Sequence, residues 1–384
     1  MKRFFCALTA LCVLMASVCT VWGAEDAAPL SISSPSAVLM HPSGTVLYEK
    51  DAHRPLPPAS VTKVMTLLLI MEAIEAGRLS YDDVVTASAH ASSMGGSQIW
   101  LKEGEQFTVS EMIKCIAVAS ANDCAVAMAE HIAGSEEAFV EAMNRRAQEL
   151  GMQNTHFVNA CGLDAEGHVS TAYDIALMSA ELIKHKKIFE YTTIWQDTIR
   201  DGAFTLTNTN RLIRTYEGMT GLKTGSTSVA GFCLSATAER DGLELIAVVM
   251  KAENSAKRSA DITAMLNYGF ANFVGVTPTP DRPLMPVPVV LGKKPSVELA
   301  LEPVQTMVLE KTLAGNIEKV IELEESLPAP VSQGQTVGTM TVMSGDRVLQ
   351  SVNIVAAEDV PFTGFWGVFL QMLRGVCMRS GGET

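Results

Sequence analysis

A serine and a lysine stand three residues apart, as Ser60 and Lys63, directly after two prolines. Each proline fixes its φ angle and lacks a backbone donor, and a long apolar run follows, so the segment predicts a buried helix from near Ser60 to Gly77. The two side chains would share one helix face. The hydroxyl would lie at a helix N-terminus, which stabilises a developing anion, and apolar surroundings would favour the neutral lysine. A neutral lysine beside a serine is a nucleophile with its base.

This pair alone does not establish chemistry, because Ser60 can be an ordinary helix cap and Lys63 can extend to solvent. Two further motifs favour a catalytic role for the pair, Ser120-Ala121-Asn122 and Lys223-Thr224-Gly225. Taken singly, the first would be polar caps at a helix end and the second a solvated strand. Acyl transfer needs a nucleophile, a proton shuttle, an oxyanion site and a group that binds a carboxylate, and the three motifs together supply all four.

The three motifs, in this order, resemble those of the penicillin-recognising serine enzymes. The chain resembles in particular the low-molecular-mass penicillin-binding proteins that are D-alanyl-D-alanine carboxypeptidases, serine peptidase family S11. The resemblance extends over nearly the whole chain and includes the stretches at residues 159–164 and 355–360. The second motif usually reads Ser-Gly-Asn in this family. Ala121 replaces that glycine here and leaves the side chains on either side of it in place.

The resemblance implies a role for each candidate residue. Ser60 would attack the carbonyl between the two terminal D-alanines of a peptidoglycan stem peptide, and Lys63 would take its proton. The leaving D-alanine would be protonated through the Ser120 region, and water would hydrolyse the acyl-enzyme. The other motif residues would bind the substrate: Asn122 its acyl side-chain amide, Lys223 and Thr224 beside Gly225 its terminal carboxylate, and the N–H groups of Ser60 and Ser226 the oxyanion. β-Lactams would acylate Ser60 as substrate mimics, and no metal or cofactor is implied.

Three other functions have to be weighed against this one. A serine β-lactamase has the same motifs, although the β-rich and amphipathic C-terminal stretches argue against it. A D,D-endopeptidase of the same fold is not separated from a carboxypeptidase by sequence. A non-catalytic wall-binding module is disfavoured because Ser60, Lys63 and Lys223 are all present.

Composition and the chain start indicate where such an enzyme acts. The formal net charge of −13 over 384 residues argues against nucleic acid as a partner. Residues 1–23 are typical of a secretory signal peptide, with Lys2 and Arg3 before a short apolar segment and small residues at its end. We therefore expect a location outside the cytoplasmic membrane, in the periplasm or at its outer face. The five cysteines after residue 23 are odd in number and widely spaced, which favours buried thiols and leaves one disulfide open.

The segments around the motifs predict an α+β fold. Hairpin patterns occur at residues 36–50 and 231–250, and helical patterns lie between them, one capped by Ser110 and one spanning residues 171–187. A closing helix is expected over about residues 255–273. Strands at both ends with helices between imply an antiparallel sheet closed by non-local pairing. The resemblance implies that residues 24–276 form a penicillin-binding-protein/β-lactamase-like, that is serine transpeptidase-like, catalytic domain.

Two segments follow this predicted domain. Residues 277–360 show short alternating strands and frequent turns, which predict a small β-sandwich domain. Residues 361–384 place aromatic and aliphatic side chains on one helical face, over a length too short to span a bilayer. This pattern predicts an amphipathic helix on the membrane surface, with packing against the protein's own core as the alternative. The expected partners are the stem peptide ending in D-Ala-D-Ala, β-lactams and the membrane surface.

Overall fold

The computed structural model describes residues 30–304, 306–364, 367 and 369. The predicted signal peptide at residues 1–23 lies outside these residues, as does most of the predicted helix over residues 361–384. Within the described residues, no helix has both the length and the apolar character needed to cross a membrane.

A five-stranded antiparallel sheet forms the centre of residues 32–276, here called the N-terminal region. The strands of this region are β1 Ser36–Met40, β2 Val46–Lys50, β3 Val84–Thr86, β4 Gln106–Thr108, β5 Gln196–Ile199, β6 Phe204–Thr207, β7 Met219–Thr227, β8 Gly231–Arg240, β9 Leu243–Ala252 and β10 Phe273–Val276. The sheet has the order β2-β1-β9-β8-β7, and β3–β4 and β5–β6 are separate pairs. Ala37 of β1 pairs with Val249 of β9, so both predicted hairpins and the non-local closure are confirmed.

Helices cover both faces of this sheet. They are α1 Lys63–Glu75, α2 Ala89–Ser92, α3 Val109–Lys114, α4 Asn122–Ala133, α5 Glu136–Glu149, α6 Ala172–Leu182, α7 Phe189–Thr192, α8 Leu212–Thr215 and α9 Ser255–Asn272. Gly269 of α9 lies against Leu39 and Leu245, whereas Ser179 of α6 hydrogen-bonds Ser235. Because side chains alternate along a strand and paired residues share a face, α6 and α9 pack on opposite sides.

Two predicted helix ends differ from the structure. Thr108, not Ser110, caps α3, because its side chain accepts from the N–H of Glu111 at 3.2 Å while Glu111 accepts from the N–H of Thr108 at 2.9 Å. This reciprocal pair satisfies two donors where a single serine cap satisfies one. Helix α6 ends at Leu182, short of residue 187: Ile183 is its C-cap residue, and Lys186–Ile188 form a separate 3₁₀ turn.

Residues 277–364, here called the C-terminal region, are built almost entirely of strands. These are β11 Val287–Val290, β12 Ser296–Val297, β13 Leu299–Leu301, β14 Met307–Glu310, β15 Ile317–Leu323, β16 Leu327–Pro328, β17 Thr336–Ser344 and β18 Arg347–Ala356, with one short described helix, α10 Lys311–Ala314. They form a three-stranded sheet, β12-β11-β16, and a four-stranded sheet, β13-β18-β17-β15, while β14 pairs with β10. Of the two apolar clusters in this region, one takes side chains from both sheets and the other, around Met340, lies on the four-stranded sheet. The small all-β unit predicted from the sequence is therefore present.

Candidate active site

Ser60 lies in a single 3₁₀ turn, Ala59–Thr62, that leads directly into α1. Ala59 has a φ of 48°, in the left-handed region that non-glycine residues seldom occupy. Backbone strain of this kind costs about 1–3 kcal/mol and persists only where the surroundings impose it. The consequence is that Ser60 stays partly exposed at the helix start while the rest of the turn is buried.

The ammonium group of Lys63 is fully buried and has three hydrogen-bond acceptors. Its Nζ lies 3.0 Å from Ser60 Oγ, 2.6 Å from Asn122 Oδ1 and 2.6 Å from the carbonyl oxygen of Cys161. Burial lowers the pKa of Lys63 from 10.5 to about 8, although the nearby Cys161 and Asp123 act in the opposite direction. A lysine with this pKa has a substantial neutral fraction near neutral pH, and so has a lone pair for the serine proton.

A tight loop fixes the Cys161 carbonyl in front of Lys63. Asn159 Oδ1 accepts from the backbone N–H groups of Cys161, Gly162 and Leu163 at 3.3, 2.6 and 3.1 Å. Gly162 has a φ of +86°, and a Cβ there would lie 1.9 Å from the carbonyl oxygen of Ala59. Only glycine fits, so this loop can rest directly on the turn that carries the serine. The sequence assigned no role to Asn159, although an asparagine three residues before a glycine is a turn signal.

Asn122 connects Lys63 to the neighbouring loop of residues 93–101. Its side-chain Nδ2 donates to the carbonyl of Gly95 at 2.7 Å, and its backbone N–H donates to Ser97 at 2.7 Å. Next to it, the buried carboxylate of Asp123 accepts from the N–H groups of Ile99 and Leu101. The loop is thereby fixed on the residues that follow the second motif. Asp123 therefore helps to hold this loop, a role that the sequence did not predict.

Ser120 occupies the turn between the π-helical segment Cys115–Ala119 and α4, with a φ of 64°. Its Oγ is buried, and within the described residues it has no hydrogen-bond partner. A buried hydroxyl without a partner costs free energy, so it is the kind of group that a bound substrate satisfies.

Strand β7 brings the third motif against the serine. A Cβ on Gly225 would lie 3.0 Å from the backbone nitrogen of Ser60 and 2.9 Å from that of Val61, so the strand needs glycine to approach this closely. Lys223 is buried and donates from Nζ to the carbonyl of Thr224 at 3.0 Å, while Thr224 Oγ1 donates to Thr209 Oγ1 at 2.6 Å.

Arg258, on α9, is a third buried cation that the sequence did not reveal. It is 6% exposed, and its Nε has no partner within the described residues. Burial lowers the pKa of Lys223 well below its usual value, and the charges of Lys63 and Arg258 lower it further. Burial also lowers the pKa of Arg258. Positive groups that are buried together without acidic partners make a site that a carboxylate would stabilise.

His168 supports the turn from the other side. Burial lowers the pKa of His168 to about 4, so its ring is neutral at neutral pH. Its Nδ1 accepts from the N–H of Val158 at 3.0 Å, which leaves the proton on Nε2, 2.8 Å from Thr62 Oγ1. Thr62 is thus held as an acceptor between Ser60 and Lys63.

In the structure, direct hydrogen bonds to Lys63 join the first and second motifs. Strand β7 places the third motif beside the first. Those joined at Lys63 are Ser60 and Asn122; those carried by the strand are Lys223, Thr224, Gly225 and the exposed Ser226. Ser120 lies in the same motif as Asn122 but forms no described hydrogen bond from its hydroxyl.

Two family profiles match the chain. Residues 23–254 match the Peptidase S11 family, described as D-alanyl-D-alanine carboxypeptidase. Residues 280–361 match the C-terminal domain of penicillin-binding protein 5.

Curated relatives align over most of the chain. A D-alanyl-D-alanine carboxypeptidase of Bacillus subtilis, DacF, is 41% identical over 95% of this chain and 96% of its own length. The Escherichia coli carboxypeptidase DacC is 33% identical over 88% of this chain and 86% of its own.

Solved structures share the fold. Penicillin-binding protein 5 of Haemophilus influenzae superposes with a TM-score of 0.73 at 30% identity, and covers 87% of this chain and 99% of its own. Penicillin-binding protein D2 of Listeria monocytogenes, in its ampicillin-bound form, has a TM-score of 0.58 at 33% identity, over 63% of this chain and 99% of its own.

Proposed function

The chain belongs to the D-alanyl-D-alanine carboxypeptidase family of serine peptidases, and on that premise we propose how its own residues perform the reaction. The enzyme removes the terminal D-alanine from peptidoglycan stem peptides through a serine acyl-enzyme, and it binds β-lactams. The observation that carries the assignment of residues is the 3.0 Å contact between Ser60 Oγ and the fully buried Nζ of Lys63.

Acylation begins when neutral Lys63 takes the proton of Ser60 and the serine oxygen attacks the carbonyl between the two D-alanines. The negative charge that develops on the carbonyl oxygen is stabilised by the N–H groups of Ser60 and Ser226. Support for this pair comes from Gly225, whose missing side chain lets β7 approach the Ser60 nitrogen. Fixed donors of this kind need no rearrangement as charge develops.

Loss of D-alanine follows when its nitrogen receives the proton held by Lys63, with Ser120 as the relay. The buried and unpartnered Ser120 Oγ supports this role, because a substrate nitrogen would supply the partner it lacks. Water then hydrolyses the ester, and the proton returns to Ser60.

Substrate orientation comes from both sides of the serine. Lys223, Thr224 and Arg258 bind the terminal carboxylate. Support comes from their burial, since Lys223 Nζ donates to the carbonyl of Thr224 and Arg258 Nε has no partner within the described residues. Asn122 binds the amide of the acyl side chain. The carboxylate also favours protonated Lys223, because its negative charge opposes the lowering of the Lys223 pKa by burial.

The test uses Ser60→Ala, with Ser80→Ala as a control at an exposed position in the loop after α1. Wild-type protein and the control are expected to release D-alanine from a diacetyl-Lys-D-Ala-D-Ala peptide and to be labelled by a fluorescent penicillin on a denaturing gel. Ser60→Ala is expected to do neither. Stable labelling of the alanine variant would refute the nucleophile assignment.

The domain limits and the location of the enzyme are part of the same proposal. Residues 1–23 direct export, residues 24–276 form the catalytic domain, and residues 277–360 form the small β-sandwich domain. Residues 361–384 form a helix that holds the enzyme on the membrane surface, because several aromatic and aliphatic side chains at helical spacing would contribute roughly 1.5–3 kcal/mol each on burial.

The membrane proposal is tested by co-sedimentation with lipid vesicles. Residues 24–384 are expected to pellet with vesicles at low and at high salt, because screening does not weaken apolar burial. A chain that ends at residue 360 is expected to stay in the supernatant with unchanged turnover of the small peptide. Equal sedimentation of both chains would assign the helix to the protein's own packing.

A further inference from the structure

Two cysteines lie on either side of the second motif, residues 120–122. Cys115 begins the π-helical segment Cys115–Ala119, and Cys124 is the third residue of α4. Both side chains are fully buried, and both are free thiols in the structure. The turn that carries the second motif therefore has a thiol at each of its ends.

The two thiols contact each other. Burial raises the pKa of Cys124, and a hydrogen bond with the thiol of Cys115 raises it further. The backbone brings the two ends of the turn together, because the carbonyl oxygen of Cys115 accepts from the N–H groups of Ser120 and Ala121, the latter at 3.2 Å. The contact between the thiols is thus part of the local fold of the second motif.

The other two described cysteines have oxygen atoms as their partners. Cys161 Sγ lies 3.6 Å from Asn159 Oδ1, and Cys233 Sγ lies 3.7 Å from the carbonyl oxygen of Ala230. Among the four cysteines that the structure describes, the pair on either side of the second motif is the one in which two sulfur atoms meet. The sequence left one disulfide open, and the structure selects the pair that would form it.

The spacing of this pair determines when it can be oxidised. A buried thiol is inert in the folded protein, so oxidation has to precede burial. Cys115 and Cys124 are nine residues apart, and a short loop of this kind closes at low entropic cost in an unfolded chain. Disulfides form and persist outside the cytoplasm, where the exported chain folds. Once the chain has folded, the same burial shields the bond from reductants.

We propose that Cys115 and Cys124 form a disulfide in the exported enzyme and close a ring of chain around the second motif. Ser120, with its φ of 64°, then lies inside this ring. A strained turn persists only where its surroundings impose it, and a closed ring removes unfolded conformations in which the turn is lost. The inference rests on the proposed export and does not depend on the reaction at Ser60.

The bond forms by exchange with a small-molecule disulfide, which is the oxidant. The thiolate of one cysteine attacks the reagent and displaces its first thiol, and the second cysteine then attacks the mixed disulfide and displaces the other. Two S–H bonds of the protein are replaced by one S–S bond. The two electrons and two protons leave in the two thiols of the reduced reagent.

The first test is peptide mass analysis of the secreted mature chain. Denaturation in iodoacetamide alkylates every free thiol, and trypsin then releases residues 115–145, in which Cys115 and Cys124 are the only cysteines. Residues 147–184 and 224–240 carry one cysteine each and control for complete alkylation. We expect the peptide of residues 115–145 to be unalkylated and lighter than the dithiol by two hydrogen atoms. After reduction it should take two alkyl groups. Two alkyl groups without reduction would show that the inference is wrong.

The second test compares the melting temperature of the same chain refolded with oxidised glutathione or with excess dithiothreitol. A ring of this size should raise the melting temperature of the oxidised form by about 6–12 °C. The variant Cys115→Ala/Cys124→Ala is the control and should melt at one temperature under both conditions, which excludes an effect of the reagents on other thiols. Equal melting of the two wild-type forms would contradict the inference.

Labelling by a fluorescent penicillin on the same samples tests the proposed function separately. Labelled enzyme in which Cys115 and Cys124 are both alkylated without reduction would overturn the disulfide and leave the acyl-enzyme on Ser60 in place. Unlabelled enzyme that contains the disulfide would refute the reaction at Ser60 and support the ring around the second motif.

Discussion

The N-terminal region buries charged side chains, whereas the described part of the C-terminal region fills its two cores with apolar ones. Lys63, Asp123, Lys223 and Arg258 are all buried in the first. In the second, charges stay at the surface in pairs such as Lys319 with Asp281.

Buried charge is costly unless it is well bonded, so a domain selected only for stability has little reason to keep it. The contrast indicates that the N-terminal region gives up stability to hold reactive groups, while the C-terminal region has no such demand. The following changes test that difference between the two regions, from the largest to the smallest expected effect on acylation.

Lys63→Arg should have the largest effect. Arginine keeps its proton at any pH at which the protein is folded, so it cannot act as the base. The rate of acylation by a penicillin, measured by stopped flow, should fall by about 10²–10⁴-fold, which is the usual contribution of a general base. Circular dichroism should show the wild-type fold. A rate within about threefold of wild type, a barrier change under roughly 1 kcal/mol, would identify a different base.

Gly162→Ala should come second. The new Cβ would clash with the Ala59 carbonyl, and its φ of +86° is unfavourable for alanine. The loop must move, and Cys161 moves with it away from Lys63. A displacement of about 1 Å near the reacting groups can cost about 10²-fold, so the acylation rate should fall by roughly that factor, together with the melting temperature. Gly315→Ala, in open space on the C-terminal region, is the control and should change neither.

The pH dependence of acylation should follow Lys63. Its pKa is lowered to about 8 by burial, and the proposed mechanism uses the neutral form. The rate at saturating penicillin should therefore rise about tenfold per pH unit below pH 8 and level off above it. Wild-type profiles between pH 6 and pH 9 would give the midpoint. A rate that falls as pH rises through 8 would show that the charged lysine is the active form.

Met340→Ala should separate the two regions. Met340 is fully buried in the core of the four-stranded sheet, and a methionine-to-alanine change in a core costs about 2–5 kcal/mol. The free energy of unfolding of the C-terminal region should fall by that amount, as seen in denaturant titrations, while small-peptide turnover stays within twofold. A large loss of turnover would mean that the core of the C-terminal region holds the active site in shape.

Asp281→Asn should have the smallest effect. It removes an exposed ion pair in which Lys319 Nζ and Asp281 Oδ1 are 2.5 Å apart. Such surface pairs contribute about 0.2–1 kcal/mol, so the unfolding transition should move little and acylation should not change. A loss comparable to that of Met340→Ala would contradict the view that charge in this region is only a surface feature.

Sequence patterns predicted the strands and helices better than they predicted the contacts between them. The hairpins at residues 36–50 and 231–250 and the helix from Lys63 were readable because alternation, turn residues and apolar runs are local signals. Arg258 was not readable, because on its helix it is one charged residue among several, and its burial depends on the packing of that helix against β8 and β9.

In the active site, too, contacts between distant parts of the chain could not be predicted from the sequence. Motif order indicated Ser60, Lys63 and Asn122, but the carbonyl of Cys161 is a backbone group that any residue type would supply. Its placement depends on the hydrogen bonds of the Asn159 side chain and on the absence of a side chain at Gly162. Both effects come from contacts that exist only in the folded protein.

The pairing of β1 with β9 has a consequence for how the protein is made. Strand β1 is synthesised about 200 residues before its partner, an interval of roughly 10–40 s at about 5–20 residues per second. Throughout that time the first hairpin lacks its neighbour in the sheet, and for most of it β7, which carries Gly225 towards Ser60, does not yet exist. A nascent chain therefore has the serine and the lysine but cannot react with a β-lactam, and reactivity appears only when the last strands of the N-terminal region have been added.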